Sequence, residues 1–188
     1  MPFDLVAIGT SLGGLSALRT ILQALPNGFP AAIAIVQHRH KESANILATY
    51  LQQFTSLPVS EVEDKQEILR GQVYIAPADY HLLVEPGYFS LSTDDPVSYA
   101  RPSIDVLLES AADAYANRTV GIVLTGANQD GVQGLAAIKQ QGGITIVQSP
   151  ETADSPVLPT AAIAAVAVDW VLPLGQIAAH LVQLCQPC

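Results

Sequence analysis

Three short stretches hold the residue types that acyl chemistry needs. "AIGTSLGG" (7–14) places Ser11 between an apolar run and two glycines. "IVQHRH" (35–40) ends a second apolar run on His38. "LTGANQDGVQG" (124–134) sets Asp130 in a loop bracketed by Gly126 and Gly131. A serine lifted out of a sheet by a tight strand-to-helix turn can attack a carbonyl. The N–H groups of its neighbours and the positive helix end then face the developing oxyanion. A histidine can take the serine proton and return it to the leaving group, while a carboxylate orients the imidazole. Each stretch also has a plainer reading. The Ser11 turn could cradle a phosphate, although it has neither GxGxxG nor a Walker lysine. His38 could be an ordinary surface residue, with Arg39, His40 and Lys41 forming a solvated loop. Asp130 could be a helix N-cap with no further duty. Convergence of the three ends on one site is what would give each residue type a task.

The elements that must position them follow from apolar periodicity. Runs at 4–9, 31–37, 59–63, 72–77, 119–126, 143–148 and 168–172 read as strands. Stretches at 12–25, 42–54, 101–117, 131–141, 158–166 and 174–185 read as helices, with Ser103 as a cap near Pro102. "HLLVEPGYFSLS" (81–92) reads as a hairpin turning at Pro86 and Gly87. Alternating strands and helices with doubly apolar strands predict an α/β fold. It is a doubly wound, mostly parallel sheet with helices on both faces and one hairpin insertion. Residues 1–188 read as one catalytic domain without an internal repeat or linker. In such sheets function gathers outside the carboxyl ends of the strands, where Ser11, His38 and Asp130 fall.

Composition narrows the classes. Hydrophobic residues make up 49% and charged residues 13% of 188, which argues for a packed core. The net charge of −9 weighs against nucleic acid as a partner. No apolar run reaches the roughly 20 residues of a membrane helix, and no secretory signal is apparent, so a cytoplasmic protein without membrane insertion is expected. Cys185 and Cys188 form a CxxC that trails a helix instead of opening one, and no second pair exists to complete a zinc site.

"VAIGTSLGGLSAL", "AIVQHRH", "VYIAPADYHLLVE", "RPSIDVLLESAA" and "GIVLTGANQDGVQGLAAIKQQGG" resemble, in order and spacing, the catalytic domain of the CheB-type chemotaxis protein-glutamate methylesterases. The resemblance runs from about residue 4 to about residue 172. The family's serine after "IGAS", histidine in "QHMP" and aspartate in "LTGMGNDGA" match Ser11, His38 and Asp130. What the resemblance implies is hydrolysis of glutamate γ-methyl esters on methyl-accepting chemoreceptors, with methanol released. In some members receptor glutamines are deamidated as well. It also implies that no metal and no cofactor is used. The rim departs from the family. Thr10 and Leu12 flank the serine, Ala127 replaces a methionine that lines the family's site, and His40 stands where the family has proline. Leu12 and Gly13 remain the expected oxyanion donors through their backbone N–H groups.

Family members often carry an N-terminal receiver domain. Here the strand leading to Ser11 begins at residue 4, so a free-standing domain is expected, controlled by a separate regulatory protein or by none. His81 is expected to make a structural hydrogen bond beside the site, and Arg39, His40 and Lys41 to form a basic lip for acidic receptor helices. Two other functions compete: a non-catalytic module of the same fold that binds receptors or signalling proteins, and a hydrolase of other esters. Labelling of Ser11 by a serine-reactive probe separates the first from the enzymes, and methylated receptor separates the second.

Overall fold

Successive strand residues send their side chains to opposite faces of a sheet. The computed structural model, which describes residues 3–39 and 46–186, shows this in both leading apolar runs. β1 (Leu5–Thr10) points Val6 and Ile8 into one core and Leu5 and Ala7 into the other. β2 (Ala32–Gln37) divides Ile33 and Ile35 from Ala32, Ala34 and Val36 in the same way. Strands buried on both faces require helices on both faces.

The sheet also contains β3 (Val59–Glu61), β4 (Val73–Ile75), β7 (Thr119–Val123), β8 (Ile144–Gln148) and β9 (Trp170–Leu172). Its order is β3-β4-β2-β1-β7-β8-β9, with every neighbouring pair parallel. α1 (Gly14–Ala24), α2 (Leu47–Gln52) and α6 (Leu174–Cys185) cover the face that takes Val6 and Ile8. α3 (Ile104–Tyr115), α4 (Val132–Gln140) and α5 (Val157–Ala165) cover the other. β5 (His81–Glu85) and β6 (Tyr88–Ser92) form a separate antiparallel hairpin, with Gly87 at φ 89° in its turn. The expected doubly wound sheet with one hairpin insertion is the fold observed. The helix expected over 42–54 is α2 from Leu47 onward, and 42–45 lie outside the described residues.

Small residues on the α3 face let that helix sit close. A Cβ on Gly9 would lie 2.0 Å from Ile104 Cγ2, so the first turn of α3 rests directly on the end of β1. A Cβ on Gly134 would lie 2.5 Å from Leu108 Cβ, so α4 is drawn against α3. The chain runs from β1 to β2 and outward, then returns to the opposite side of β1 with β7. The switch point of the sheet therefore lies at β2, β1 and β7, whose carboxyl ends open onto one crevice. Among the described residues no helix is long and apolar enough to cross a membrane.

Candidate active site

β2, β1 and β7 are adjacent, so residues that leave their ends must meet. Thr10 pairs with Gln37 at the last rung between β1 and β2. The ladder continues one residue further on both sides of β1. His38 N–H donates to Thr10 O at 3.0 Å, and Ser11 N–H donates to Thr125 O at 3.0 Å. Gln37 supplies a second tie, its Nε2 donating to Ser11 O and to His38 O at 2.9 Å each. One side-chain amide thus holds the backbones of the serine and the histidine together. Sequence reasoning passed over Gln37; the signal was a polar side chain closing a strand otherwise made of apolar residues.

His38 Nε2 lies 2.6 Å from Asp130 Oδ2. Asp130 is fully buried. Its Oδ2 also accepts from Ile104 N–H at 2.7 Å, and its Oδ1 accepts from Ser103 Oγ at 2.7 Å and Asp105 N–H at 3.0 Å. Burial opposes charge on this carboxyl. The hydrogen bonds from His38, Ser103, Ile104 and Asp105 outweigh burial and hold it below the usual carboxylate range. Asp130 does act as a cap, but for α3 and not for its own helix. The N-cap of α4 is Gly131 at φ 117°, a conformation that favours glycine. An ionised Asp130 on Nε2 selects the tautomer with its proton there. Nδ1 is left as the acceptor, and Asn128 Nδ2 approaches it at 3.4 Å. Among the described residues Ser11 Oγ makes no hydrogen bond to the imidazole; the two side chains instead share the wall of one cavity of about 590 Å³.

The same cavity is lined by Leu12, Gly13 and Gly14 at the start of α1. Among the described residues the N–H groups of Leu12 and Gly13 have no acceptor, while Leu12 O accepts from Thr125 Oγ1 at 2.8 Å. That bond ties the turn to the end of β7, and the two open donors lie at the N-terminus of α1. Gly13 has φ 82°, and a Cβ there would lie 2.6 Å from Asp154 Cβ. The Leu12 side chain is 62% exposed at the mouth, and Ala127 is exposed in the loop before Asp130.

His81 is buried and bridges two elements. Its Nδ1 accepts from Ser103 N–H at 3.2 Å, and its Nε2 donates to Asp95 O at 3.1 Å. It therefore stands behind Ser103, which stands behind Asp130, in keeping with a structural hydrogen bond. Arg39 departs from expectation. Its guanidinium turns inward to Glu61 Oε1 at 2.5 Å and Ala76 O at 2.9 Å, so it belongs to no basic lip. The neighbouring carboxylate of β3 offers it a partner that sequence proximity could not reveal. His40 and Lys41 lie outside the described residues, as does Cys188. Cys185 is buried in the α6 core, where desolvation pushes its thiol up to about 11. Among the described residues no cluster of three metal-ligating side chains occurs.

A parallel α/β sheet that gathers a serine, a histidine and a buried aspartate at its switch point defines a protein of serine-hydrolase type. The model of the CheB methylesterase family matches residues 6–181, and the chain belongs to that family. It is 44% identical to a putative protein-glutamate methylesterase/protein-glutamine glutaminase of Leptospira interrogans, over 99% of this chain and 97% of that protein. It is 40% identical to the protein-glutamate methylesterase FrzG of Myxococcus xanthus, spanning all of this chain and 56% of FrzG. The crystal structure of the Thermotoga maritima CheB methylesterase catalytic domain superposes with a TM-score of 0.94 at 36% identity, covering 98% of this chain and all of that one.

Proposed function

We propose that the chain is a cytoplasmic serine esterase that hydrolyses glutamate γ-methyl esters on methyl-accepting chemoreceptor proteins and deamidates receptor glutamines by the same route. Residues 1–188 act as one catalytic domain, without metal or cofactor. Ser11 Oγ attacks the ester carbonyl while His38 Nδ1 takes its proton. The Leu12 and Gly13 N–H groups hold the oxyanion, and Ala127 leaves the opposite rim open. The imidazolium, held by Asp130, returns the proton to the methoxy oxygen, and methanol leaves. Water then attacks the Ser11 acyl group with the same base, giving the glutamate carboxylate and free serine. With ammonia as the leaving group the sequence is a deamidation.

The observation that carries this reading is the 2.6 Å contact between His38 Nε2 and the buried Asp130, with His38 and Ser11 lining one cavity. The names of the similar proteins support the ester and amide substrates. The experiment is methanol release from methylated receptor fragments by the wild-type chain and by Ser11→Ala, together with labelling by a fluorophosphonate probe. Turnover and labelling that both vanish in Ser11→Ala are expected. Labelling without methanol release would point to another ester, and neither would point to a binding module.

A further inference from the structure

α3 and α4 exchange carboxylates. Asp130, which precedes α4, accepts from the N–H groups of Ile104 and Asp105 in the first turn of α3. Asp105, in that first turn, returns the contact: its Oδ1 accepts from Gly131 N–H at 2.9 Å and from Gly134 N–H at 2.8 Å. Each helix N-terminus thus takes its anion from the other helix, where the orphan amide donors and the helix dipole favour one. Asp105 is 5% exposed, and a buried carboxylate beside another is costly unless both are well supplied with donors. The close approach of Gly134 to Leu108 leaves no slack in the pairing.

We propose that Asp105 is a positioning residue for the reaction: by gripping the amide that directly follows Asp130, and the amide three residues later, it sets the carboxylate that orients His38. Gly131 has no side chain to hold its backbone and sits at φ 117°, so the grip of Asp105 fixes the main chain from which the Asp130 carboxylate reaches its donors. The proposal rests on the reading of His38 and Asp130 as base and orienting acid. The charged groups facing Asp105 are Asp130 across the helix pair and Glu109 on its own helix.

The test compares Asp105→Ala, which removes the acceptor, with Asp105→Asn, whose Oδ1 can still accept from both amides. Two readouts are taken on the full chain: steady-state kinetics, and ¹⁵N NMR of the imidazole tautomers, with the His38 signals assigned by their loss in His38→Ala. In Asp105→Ala, kcat falls at least about tenfold while KM stays within about threefold, and His38 loses its bias to the Nε2–H tautomer. In Asp105→Asn both are restored to within about threefold. If Asp105→Ala does not fold, Asp105→Leu, which fills the space of the carboxylate without an acceptor, is read in its place. A folded acceptor-free variant with the wild-type tautomer and kcat overturns the proposal, as does an Asp105→Asn damaged to the same degree. The tautomer readout does not depend on turnover. A wild-type chain that lacks esterase activity, yet shows the tautomer shift in Asp105→Ala, would fail the functional reading alone.

Discussion

His38 presents Nε2, not Nδ1, to Asp130, at 2.6 Å. In the usual serine protease triad the acid takes Nδ1 and the serine faces Nε2. Here the acid takes Nε2 instead, and Nδ1 faces Asn128 Nδ2 at 3.4 Å. In the proposed mechanism the base is Nδ1, the ring nitrogen nearer the imidazole's own backbone, so its position depends closely on the main chain that follows β2.

Asp130→Asn is expected to damage both activity and folding. From the loop alone, an asparagine would keep the local shape and merely favour the wrong tautomer. The structure adds that four donors converge on the two oxygens of Asp130. An amide nitrogen placed on either side meets donors with a donor, and an unsatisfied buried donor costs about 1–3 kcal/mol. Turnover should fall at least about 10²-fold, and thermal melting should drop by several degrees, on the order of 1–3 kcal/mol. A variant with a loss under about threefold would reduce Asp130 to a helix cap.

His38→Ala is expected to abolish methanol release, whereas His40→Ala changes it by less than about tenfold. His38 shares a cavity wall with Ser11 and is bonded to Asp130; His40 lies outside the described residues and aligns with a proline of the family. An inactive His40→Ala beside an active His38→Ala would reverse the assignment.

Gln37→Glu tests the amide that joins the two backbones. Glutamate has the same length but no donor, so the bonds to Ser11 O and His38 O are lost and a carboxylate faces two carbonyl oxygens. A fall in kcat of at least about tenfold is expected, with KM little changed, because the donors of this amide are spent on the two backbone carbonyls. Wild-type kcat in a folded Gln37→Glu would show that the ladder between β1 and β2 suffices.

The two buried acids give opposite pH dependences of stability. Asp130 is lowered from its ordinary 3.8, so its contribution is present above that value and is lost only as pH falls through the lower folded value. Asp105 is raised to about 6, chiefly by burial and also by the charge of Asp130. The folded state therefore binds its proton more tightly than the unfolded chain. Stability from this group is full below 3.8 and is lost as pH rises through about 6. Melting temperatures of wild type and Asp105→Asn should diverge between these values, with the variant gaining on the wild type as pH rises. A constant difference across the window would refute the assignment.

The sheet, the hairpin and the three strand ends were legible in the sequence because they are local. Period-two burial, helical spacing and turn residues are written within a few positions of each other, as in "DLVAIG" and "EPGY". Ser11 and His38 could be named as candidates for the same reason, each following the last residue of a strand; Asp130, in the loop between β7 and α4, joins them because β2, β1 and β7 are adjacent in the sheet. Which ring nitrogen faces the acid, which helix Asp130 caps and where Arg39 turns were decided only by tertiary packing. The α3 first turn reaches Asp130 because Gly9 and Gly134 let two helices close on the end of β1. Arg39 leaves the surface because Glu61, 22 residues away, arrives on β3, two strands across the sheet from β2. Those are pairings between distant segments, and a residue's own neighbours in the chain carry no record of the partner it will meet.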